Sequence, residues 1–410
     1  MRRVVVTGLG GVAPVGQNPA DLFEGLVAGR SGVALVPPEI FSGPQRLVAA
    51  RVPFDPSAHW PPHQSAQLDR ATQFALVAAA QAVADAGLML SEEESNRAGV
   101  YWGTGLGGAM SIEDSYKRLF ASASGRVRPT AVTMGMSNAA AAHISIAHHL
   151  RGAVLNISTA CSSSAASIGE AYRAIQAGHA DVIIAGGSEA LITHGNLSAW
   201  AAMQALAQPD ADDPSRSCKP FDANRTGLVL GEGAAALVLE SSERATQRGA
   251  HIHAEVVGYG NASDAVGLSR PDADGQDRAM RSALGDAKLA PDAIGYINAH
   301  ATATIVGDST ETDSIKRTFG THSGDVPISS TKALHGHLMG AAGAVELLVS
   351  IMALERGIVP PTAHLDHPDP MCDLDYVPNE AREVKLRAVM SNSFGFGGMN
   401  GVLIARRYED

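Results

Sequence analysis

Cys161 is the residue of this chain best placed to act as a nucleophile, because of the sequence on either side of it. Residues 153–158 are apolar enough for a short buried strand, and the small residues after Cys161 lead into a helix over residues 165–175. A cysteine at such a strand-to-helix turn faces unpaired N–H groups and the positive end of the helix dipole. That environment favours the thiolate, the nucleophilic form of the side chain. The alternative for any single cysteine is a small buried residue without a chemical role.

Further along the chain, three motifs carry groups that complement a nucleophile. His300 follows an apolar strand in residues 298–304, and Lys332 and His337 precede a long apolar helix. Imidazoles donate hydrogen bonds and move protons near neutral pH. Residues 391–400 form a glycine-rich turn whose backbone N–H groups can point inward at a developing oxyanion. Each motif alone also fits a strand end, a surface charge or a simple turn.

Strands and helices alternate along the chain. The predicted strands lie at residues 4–7, 99–103, 153–158, 181–185, 234–239, 253–258, 294–299, 388–391 and 401–405. The predicted helices lie at residues 19–28, 71–86, 165–175, 240–249, 276–289, 310–319 and 338–354. This alternation predicts an α/β fold with helices packed on mostly parallel sheets. The pattern restarts near residue 250, so we predict an N-terminal half at residues 1–249 and a C-terminal half at residues 250–410.

Composition and charge narrow the class of protein. The 410 residues are 45% hydrophobic, which is enough for one large core or two medium ones, and the net charge of −11 argues against nucleic acid as the main partner. The three cysteines form neither a disulfide framework nor a CxxC zinc motif and fit a reducing, cytoplasmic compartment. The first apolar run ends too soon for a signal peptide. The most apolar long stretch, residues 338–354, contains Glu346 and is short for a membrane span, so no membrane partner is expected.

A glycine motif near the start invites a nucleotide-binding interpretation. Residues 8–13 (GLGGVA) follow a strand and match the loose dinucleotide fingerprint GxGxxA. In a dinucleotide site the helix begins within the glycine turn and holds the pyrophosphate at its N-terminus. Here Pro14, Gly16 and Pro19 delay the helix. We therefore expect no nucleotide at this motif.

Taken in order, the motifs resemble those of the elongating β-ketoacyl-acyl-carrier-protein synthases, condensing enzymes of the thiolase-like superfamily. The resemblance runs nearly end to end and rests on the segments VVTGLG, TACSSS, AGGSE, KPFD, GEGA, NAHATAT, KALHGH and NSFGFGG. It implies a thiolase-like fold in which two similar βαβ-type halves pack as an αβαβα layered structure. It implies decarboxylative Claisen condensation of an acyl-cysteine thioester with malonyl carrier, which extends the chain by two carbons. No cofactor is required for that reaction.

The same resemblance assigns catalytic roles to the groups singled out above. Cys161 would take the acyl chain from a carrier as a thioester. His300 and His337 would promote decarboxylation of the malonyl carrier and stabilise the enolate. Lys332 would support that pair electrostatically, and Glu346 stands where the family has the glutamate that pairs with this lysine.

Gating, pocket and cation positions are also implied by the resemblance. The backbone N–H groups of Phe396 and Cys161 would form the oxyanion hole, and the Phe396 ring would gate the acyl site. The expected acyl-pocket residues are Leu106, Ala131, Met134 and Met136. Some members hold a structural monovalent cation, and the matching positions here are Asn298, Ala299, Glu346, Ser391 and Asn392.

The expected partner is an acyl carrier protein, bound as acyl-carrier and malonyl-carrier. Residues 63–67 lack the basic run that the family often has before Leu68, and Gln204 stands where an arginine is common, so docking is expected to differ. The resemblance implies a homodimer, or a heterodimer with a chain-length-factor-like subunit.

Four functions other than fatty-acid-type elongation are alternatives for this sequence. A ketosynthase of a specialised polyketide, polyene or aryl-polyene pathway fits the same motifs. A non-catalytic partner subunit is disfavoured because the cysteine, histidines and lysine are all present. A thiolase needs a second catalytic cysteine near the C-terminus, and the surroundings of Cys372 resemble a structural segment. A starter-type synthase would carry asparagine in place of one histidine.

His335, two residues before His337, is expected to be non-catalytic.

Overall fold

Strands and helices alternate throughout the computed structural model, which describes residues 1–121 and 125–409; residue 410, where the predicted C-terminal half ends, lies outside this range. The strands are β1 (Val4–Val12), β2 (Val33–Leu35), β3 (Val48–Ala50), β4 (Ala98–Gly103), β5 (Val154–Ile157), β6 (Val182–Glu189), β7 (Leu230–Gly231), β8 (Gly233–Ser241), β9 (Ala254–Ser263), β10 (Tyr296–Asn298), β11 (Ile328–Ser329), β12 (Ile358–Val359), β13 (Arg382–Glu383), β14 (Ala388–Gly395) and β15 (Met399–Arg406). The helices are α1 (Pro19–Val27), α2 (Pro62–Ser65), α3 (Arg70–Asp85), α4 (Glu92–Ser95), α5 (Ala109–Ala121), α6 (Ala131–Gly135), α7 (Ala139–Ala147), α8 (Ser163–Gln176), α9 (His194–Ala202), α10 (Ser242–Gln247), α11 (Ala273–Ala287), α12 (Ile305–Phe319), α13 (Lys332–His335) and α14 (Ala342–Arg356).

The main sheet repeats one topology twice. Its ten strands lie in the order β11-β10-β14-β15-β9-β1-β8-β6-β4-β5. The first five in the chain (β1, β4, β5, β6, β8) and the last five (β9, β10, β11, β14, β15) adopt the same relative order, and the antiparallel pair of β1 with β9 joins them. This repeat confirms the predicted architecture of two similar halves. The division at residue 249 stays a prediction.

The predicted strand directions are wrong in the middle of this sheet. The outer pairings, β4 with β5 and β6, and β10 with β11 and β14, are parallel. The pairings from β6 through β8, β1, β9 and β15 to β14 are all antiparallel. A short hairpin joins β14 to β15, and a hairpin can only connect antiparallel strands. Alternation of helices and strands therefore does not predict the antiparallel pair of β14 and β15, because no helix separates these two strands.

Two buried helices form the middle layer of the molecule. The helix α8 packs on β4 and β6 from one half and on β15 from the other, while α14 packs on β14 and also on β8. On the outer faces, α3 packs on β1 and β8, and α11 packs on β9 and β15. Helices thus cover both outer faces of the sheet and also form the layer between its two halves, which is the αβαβα layering. Within the described residues, no helix combines the length and the apolar character that a membrane span requires.

The glycines of the dinucleotide-like motif lie inside β1. A Cβ atom at Gly10 would lie 1.9 Å from the carbonyl oxygen of Ala78, and one at Gly8 would lie 2.1 Å from that of Ala82. Both carbonyls belong to α3, so the glycines allow this helix to approach the sheet closely. The motif is a packing feature of a strand rather than a turn at the start of a helix.

Several predicted elements differ in bounds or position from those observed, including the helix predicted at residues 310–319, which begins at Ile305. The strand β5 was expected to be central and buried, but it is the edge strand, and Val154 and Leu155 are 38% and 44% exposed. The helix predicted at residues 338–354 begins at Ala342, because Met339–Ala341 form a 3-10 turn with φ of 51° at Met339. The helix predicted from residue 240 begins at Ser242, because β8 continues to Ser241 and the side chain of that residue accepts a hydrogen bond from the first turn of α10.

Candidate active site

Cys161 lies in a strained turn directly before α8. The 3-10 turn Ala160–Ser162 contains it, and its side chain is 4% exposed. Ala160 has φ of 53°, a left-handed conformation that costs about 1 kcal/mol for a residue with a Cβ atom. The Ser163 hydroxyl closes the turn, since it donates to the carbonyl of Ala160 (2.6 Å) and accepts from the N–H of Thr159 (2.9 Å). These bonds hold Cys161 in one position at the amino end of the helix.

The turn alone does not produce the thiolate that the sequence predicts. Burial raises the pKa of Cys161 to about 11, although hydrogen bonds from the backbone N–H groups of Phe396 and Cys161 and the positive charge of Lys332 oppose that rise. Desolvation therefore outweighs these hydrogen bonds and the lysine charge. The resting side chain is a thiol, and its proton needs an acceptor when the sulfur attacks.

The two predicted histidines converge on this sulfur. The Cys161 sulfur and one ring nitrogen each of His300 and His337 all lie within 4.8 Å of one another. The two imidazole rings are 5.2 Å apart between centroids, with 85° between their planes. Within the described part of the chain, Nδ1 of His300 and both ring nitrogens of His337 have no hydrogen-bond partner. These nitrogens are therefore not committed to another protein group.

Both histidines are held neutral. Burial, followed by the nearby charge of Lys332, keeps the pKa of His300 and His337 well below 6.5. Lys332 forms an ion pair with Glu346, and both side chains are 0% exposed. Burial raises the pKa of Glu346 to about 7, against the effect of the lysine. The site thus combines a thiol, two neutral imidazoles and a buried ion pair.

A cavity of about 360 Å³ gives access to the cysteine and both histidines. Phe396 and Trp200 line it together, with their ring centroids 5.7 Å apart, and Phe396 is 38% exposed. Gly397 and Gly398 follow with φ of 82° and 68°, values that favour glycine, and they make the hairpin between β14 and β15. The predicted gate residue therefore lies on a tight turn in the cavity wall.

Two buried carboxylates that position the site were missed by the sequence analysis. Glu311 in α12 accepts the backbone N–H groups of His300 (2.9 Å) and Ala301 (2.7 Å). Glu189 at the end of β6 accepts the backbone N–H of Gly105 (2.6 Å), and burial raises its pKa to about 7. The sequence does carry a signal for Glu311. Positions 308, 311, 315 and 319 share one face of the helix, so two carboxylates lie on the same face as an isoleucine and a phenylalanine.

The expected acyl-pocket residues lie apart from this cavity. Leu106 is 54% exposed and lines a separate open pocket with Ile112 and Tyr116. Ala131 and Met134 lie in α6, and Met136 follows that helix. None of these three residues lines either of the two cavities. Their role in an acyl pocket stays a prediction.

The predicted cation positions supply oxygen donors without partners. Among the described residues, Oδ1 of Asn298, Oδ1 of Asn392 and the Ser391 hydroxyl are buried and have no hydrogen bond. Oxygen donors of this kind suit a hard cation, and Glu346, the remaining predicted side chain, is a buried carboxylate. The donor set therefore fits the group.

His335 is buried and fully engaged. Its Nδ1 bonds with the carbonyl of Gly336 (2.7 Å) and its Nε2 with the hydroxyl of Thr331 (2.9 Å). Burial lowers its pKa to about 3. Neither ring nitrogen is free for a substrate, as expected for a non-catalytic histidine.

Comparison with protein-family models identifies both parts of the chain. Residues 1–245 match the model described as "Beta-ketoacyl synthase, N-terminal domain" and residues 253–366 match "Beta-ketoacyl synthase, C-terminal domain".

Curated relatives match over almost the full length. The chain is 42% identical to 3-oxoacyl-[acyl-carrier-protein] synthase 2 of Coxiella burnetii (strain RSA 493 / Nine Mile phase I), with 100% of this chain and 99% of the relative covered. It is 41% identical to Nodulation protein E of Rhizobium leguminosarum bv. trifolii, with 99% of each chain covered.

Solved structures share the fold. The chain is similar, with a TM-score of 0.91, 32% identity and full coverage of both chains, to a type II PKS acyl-carrier protein complex with its ketosynthase bound to the hexaketide (AntDE:AntF). It is similar to the ishigamide ketosynthase/chain length factor with a TM-score of 0.91, 34% identity and full coverage of both chains.

Proposed function

The chain belongs to the β-ketoacyl synthase family, and we propose that it condenses an acyl thioester on Cys161 with a malonyl group brought by an acyl carrier protein, in fatty-acid-type elongation. It is a carbon–carbon bond-forming acyltransferase. The observation that carries the proposal is the convergence of the Cys161 sulfur with ring nitrogens of His300 and His337 within 4.8 Å, in one cavity.

The first half-reaction loads the cysteine. The sulfur of Cys161 attacks the carbonyl of the acyl-carrier thioester, so a new carbon–sulfur bond forms and the bond to the carrier sulfur breaks. Because burial raises the pKa of the thiol, a neutral imidazole accepts its proton during attack, and that proton leaves on the carrier thiol. The N–H groups of Cys161 and Phe396, which point at the sulfur, stabilise the oxyanion.

The second half-reaction extends the chain. The malonyl carrier loses its carboxylate as carbon dioxide, and the remaining electron pair forms an enolate. His300 and His337 donate hydrogen bonds to the enolate oxygen through ring N–H groups without other partners. The enolate carbon then attacks the acyl carbonyl, the bond to the Cys161 sulfur breaks, and the thiolate takes a proton that comes from water. The product is a carrier-bound β-ketoacyl chain two carbons longer.

Lys332 and Glu346 act through the histidines. Burial and, after it, the lysine charge lower the pKa of both imidazoles and keep them neutral, so that each can accept or donate a proton. Asn298, Ala299, Glu346, Ser391 and Asn392 would hold a monovalent cation, which would add fixed positive charge beside this ion pair. Support for the cation comes from the unpartnered oxygens of Asn298, Ser391 and Asn392. Comparing the Tm of the protein in a potassium buffer with its Tm in a buffer of a bulky organic cation tests this cation site.

A ketosynthase of a specialised pathway is the second candidate. The similarity to Nodulation protein E and to the ishigamide ketosynthase/chain length factor favours it. The two candidates share the chemistry on Cys161 and differ in the acyl chain accepted.

The partner surface is proposed on the open edge of the main sheet. In the described residues, β5 pairs with β4 on one side only; Leu155 in β5 is 44% exposed, and Ile146 in α7, which packs on β5, is 70% exposed. An unpaired apolar edge favours pairing with another chain. A second copy of this chain is the occupant we propose. Light scattering should give a dimer that Leu155→Lys weakens and Met89→Lys, at a more exposed site elsewhere, leaves intact.

Intact-protein mass spectrometry tests the function. The chain is incubated with a panel of acyl carriers and then with malonyl carrier. An acyl adduct on Cys161 that disappears as a longer β-ketoacyl product forms supports the proposal, and saturated medium chains favour fatty-acid elongation. Unsaturated or aryl chains favour the specialised pathway. A dimer that forms only with a chain-length-factor subunit would replace the homodimer, and absence of any adduct would overturn the assignment.

A further inference from the structure

A second group of metal-ligating side chains lies outside the catalytic cavity, where the two halves of the chain meet. His251 and His253 stand two residues apart in the segment before β9. Glu355 comes from the last turn of α14, and Asp85 ends α3. The backbone N–H of His253 also donates to the carbonyl of Val6 in β1 (2.9 Å), which ties this segment to the N-terminal half.

The donor atoms converge in a way that suits a metal ion. One ligand atom each from His251, His253 and Glu355 lie within 4.8 Å of one another. Oε1 of Glu355 is 2.8 Å from Nδ1 of His253 and 3.4 Å from Nε2 of His251. Ligands of a tetrahedral zinc ion with bonds of about 2.0–2.1 Å are separated by roughly 3.3 Å, so only a small opening is needed.

The second ring nitrogen of His253 supplies an independent feature of a metal site. Nε2 of His253 lies 2.8 Å from Oδ2 of Asp85, and the same carboxylate oxygen accepts the N–H of Leu9 (2.8 Å). Metal-binding histidines usually donate their other N–H to a carboxylate, which orients the ring and fixes its tautomer. His253 is mostly buried, with a side chain 10% exposed, whereas His251 is 69% exposed and leaves an open side for water.

We propose that His251, His253 and Glu355 bind one divalent transition-metal ion of the zinc type, with Asp85 as the positioning residue for His253. Imidazole and carboxylate donors in this number match zinc sites with an open fourth position. The ion would link the segment between the halves to α14 and, through Asp85, to α3. Its role is structural, since the cluster lies outside the residues that line the catalytic cavity.

A proton competes with the metal ion for the imidazole of His253. Although burial alone would lower it, hydrogen bonds to Asp85 and Glu355 raise the pKa of His253 to about 9. A metal-free cluster at neutral pH is therefore a protonated ion-pair network, and a bound metal must displace that proton. A network of this kind without metal affinity is the alternative that the experiment has to exclude.

Calorimetric titration of the full chain with Zn²⁺ tests the site. The wild-type chain is titrated first, and Cys161→Ala is then the parent of all further variants, because the catalytic sulfur and histidines could also hold a metal. The parent should bind one zinc ion per chain, and its Tm should rise on binding and fall again with a chelator. His251→Ala, at an exposed position, should abolish this saturable binding. Asp85→Asn should weaken it about 10- to 100-fold, and His179→Ala, at another exposed histidine, should leave it unchanged.

Each other result overturns the proposal. Loss of zinc binding on introducing Cys161→Ala would place the metal in the catalytic cavity. Equal zinc affinity in the parent and in His251→Ala would place it elsewhere on the chain. Absence of saturable binding in a folded parent would leave the cluster as an ion-pair network only.

Discussion

The imidazole rings of His300 and His337 stand almost perpendicular, at 85°, with 5.2 Å between their centroids. Separate anchors hold them: the backbone N–H of His300 donates to Glu311, and that of His337 donates to the carbonyl of Val229 (2.7 Å). Perpendicular rings can aim two N–H donors at one oxygen from different directions. This geometry suits an enolate oxygen that forms only after decarboxylation.

His300→Ala should impair decarboxylation more than loading of the cysteine. Loss of one donor to a developing oxyanion typically costs about 10²- to 10³-fold in rate. Release of carbon dioxide from malonyl carrier should fall by that factor, while acylation of Cys161, followed by mass spectrometry, should fall much less because His337 remains. An equal loss in both steps would contradict the division of labour, and His179→Ala serves as the control.

Cys161→Ala should abolish the acyl adduct and leave the fold intact. The substitution removes one sulfur from a small buried site, and alanine retains the Cβ that the turn already accommodates. Intact-protein mass spectrometry should find no adduct with any carrier, and the Tm should stay within a few degrees of the parent. Condensation at a substantial rate by this variant would remove Cys161 from its role.

Acylation of Cys161 should persist below pH 6.5. Burial and the Lys332 charge hold the pKa of His300 and His337 well below 6.5, so the proton-accepting neutral forms persist as the pH falls toward 6. The double variant Lys332→Met/Glu346→Gln removes the buried charges together and avoids an unpaired one. Without the lysine charge both histidine pKa values rise, so the acid limb of the rate profile should move to higher pH. Coincident profiles would show that Lys332 does not tune the histidines.

Gly10→Ala should destabilise the protein while Gly285→Ala should not. A Cβ at Gly10 would lie 1.9 Å from the carbonyl of Ala78, so α3 would have to move, at a cost of about 1–3 kcal/mol. Gly285 lies in α11 with nothing within 4 Å of its would-be Cβ, and alanine there should add roughly 0.5–1 kcal/mol. Chemical denaturation measures both. Equal unfolding midpoints would contradict the close packing of α3 on β1.

The family resemblance, rather than local sequence, assigned roles to the catalytic groups, whereas many of the strands and helices could be predicted from local sequence. The helix predicted at residues 71–86 is observed at Arg70–Asp85, and the strand predicted at residues 234–239 lies within Gly233–Ser241. Glu311 and Glu189 escaped prediction because their partners are backbone N–H groups far along the chain. The edge position of β5 escaped as well, since an apolar strand reads the same at a sheet centre and at an edge that another chain can cover.

The sequence by itself determined the strand, turn and helix around Cys161 and the order of the histidine and lysine motifs, because periodicity and turn residues act over a few positions. Tertiary structure decided the rest. Burial of Cys161 raises its pKa to about 11, which no neighbour in sequence predicts. His251 and His253 lie close to Glu355, although Glu355 is about a hundred positions further along the chain. Desolvation and long-range proximity depend on what packs around a side chain, and only the folded chain defines that.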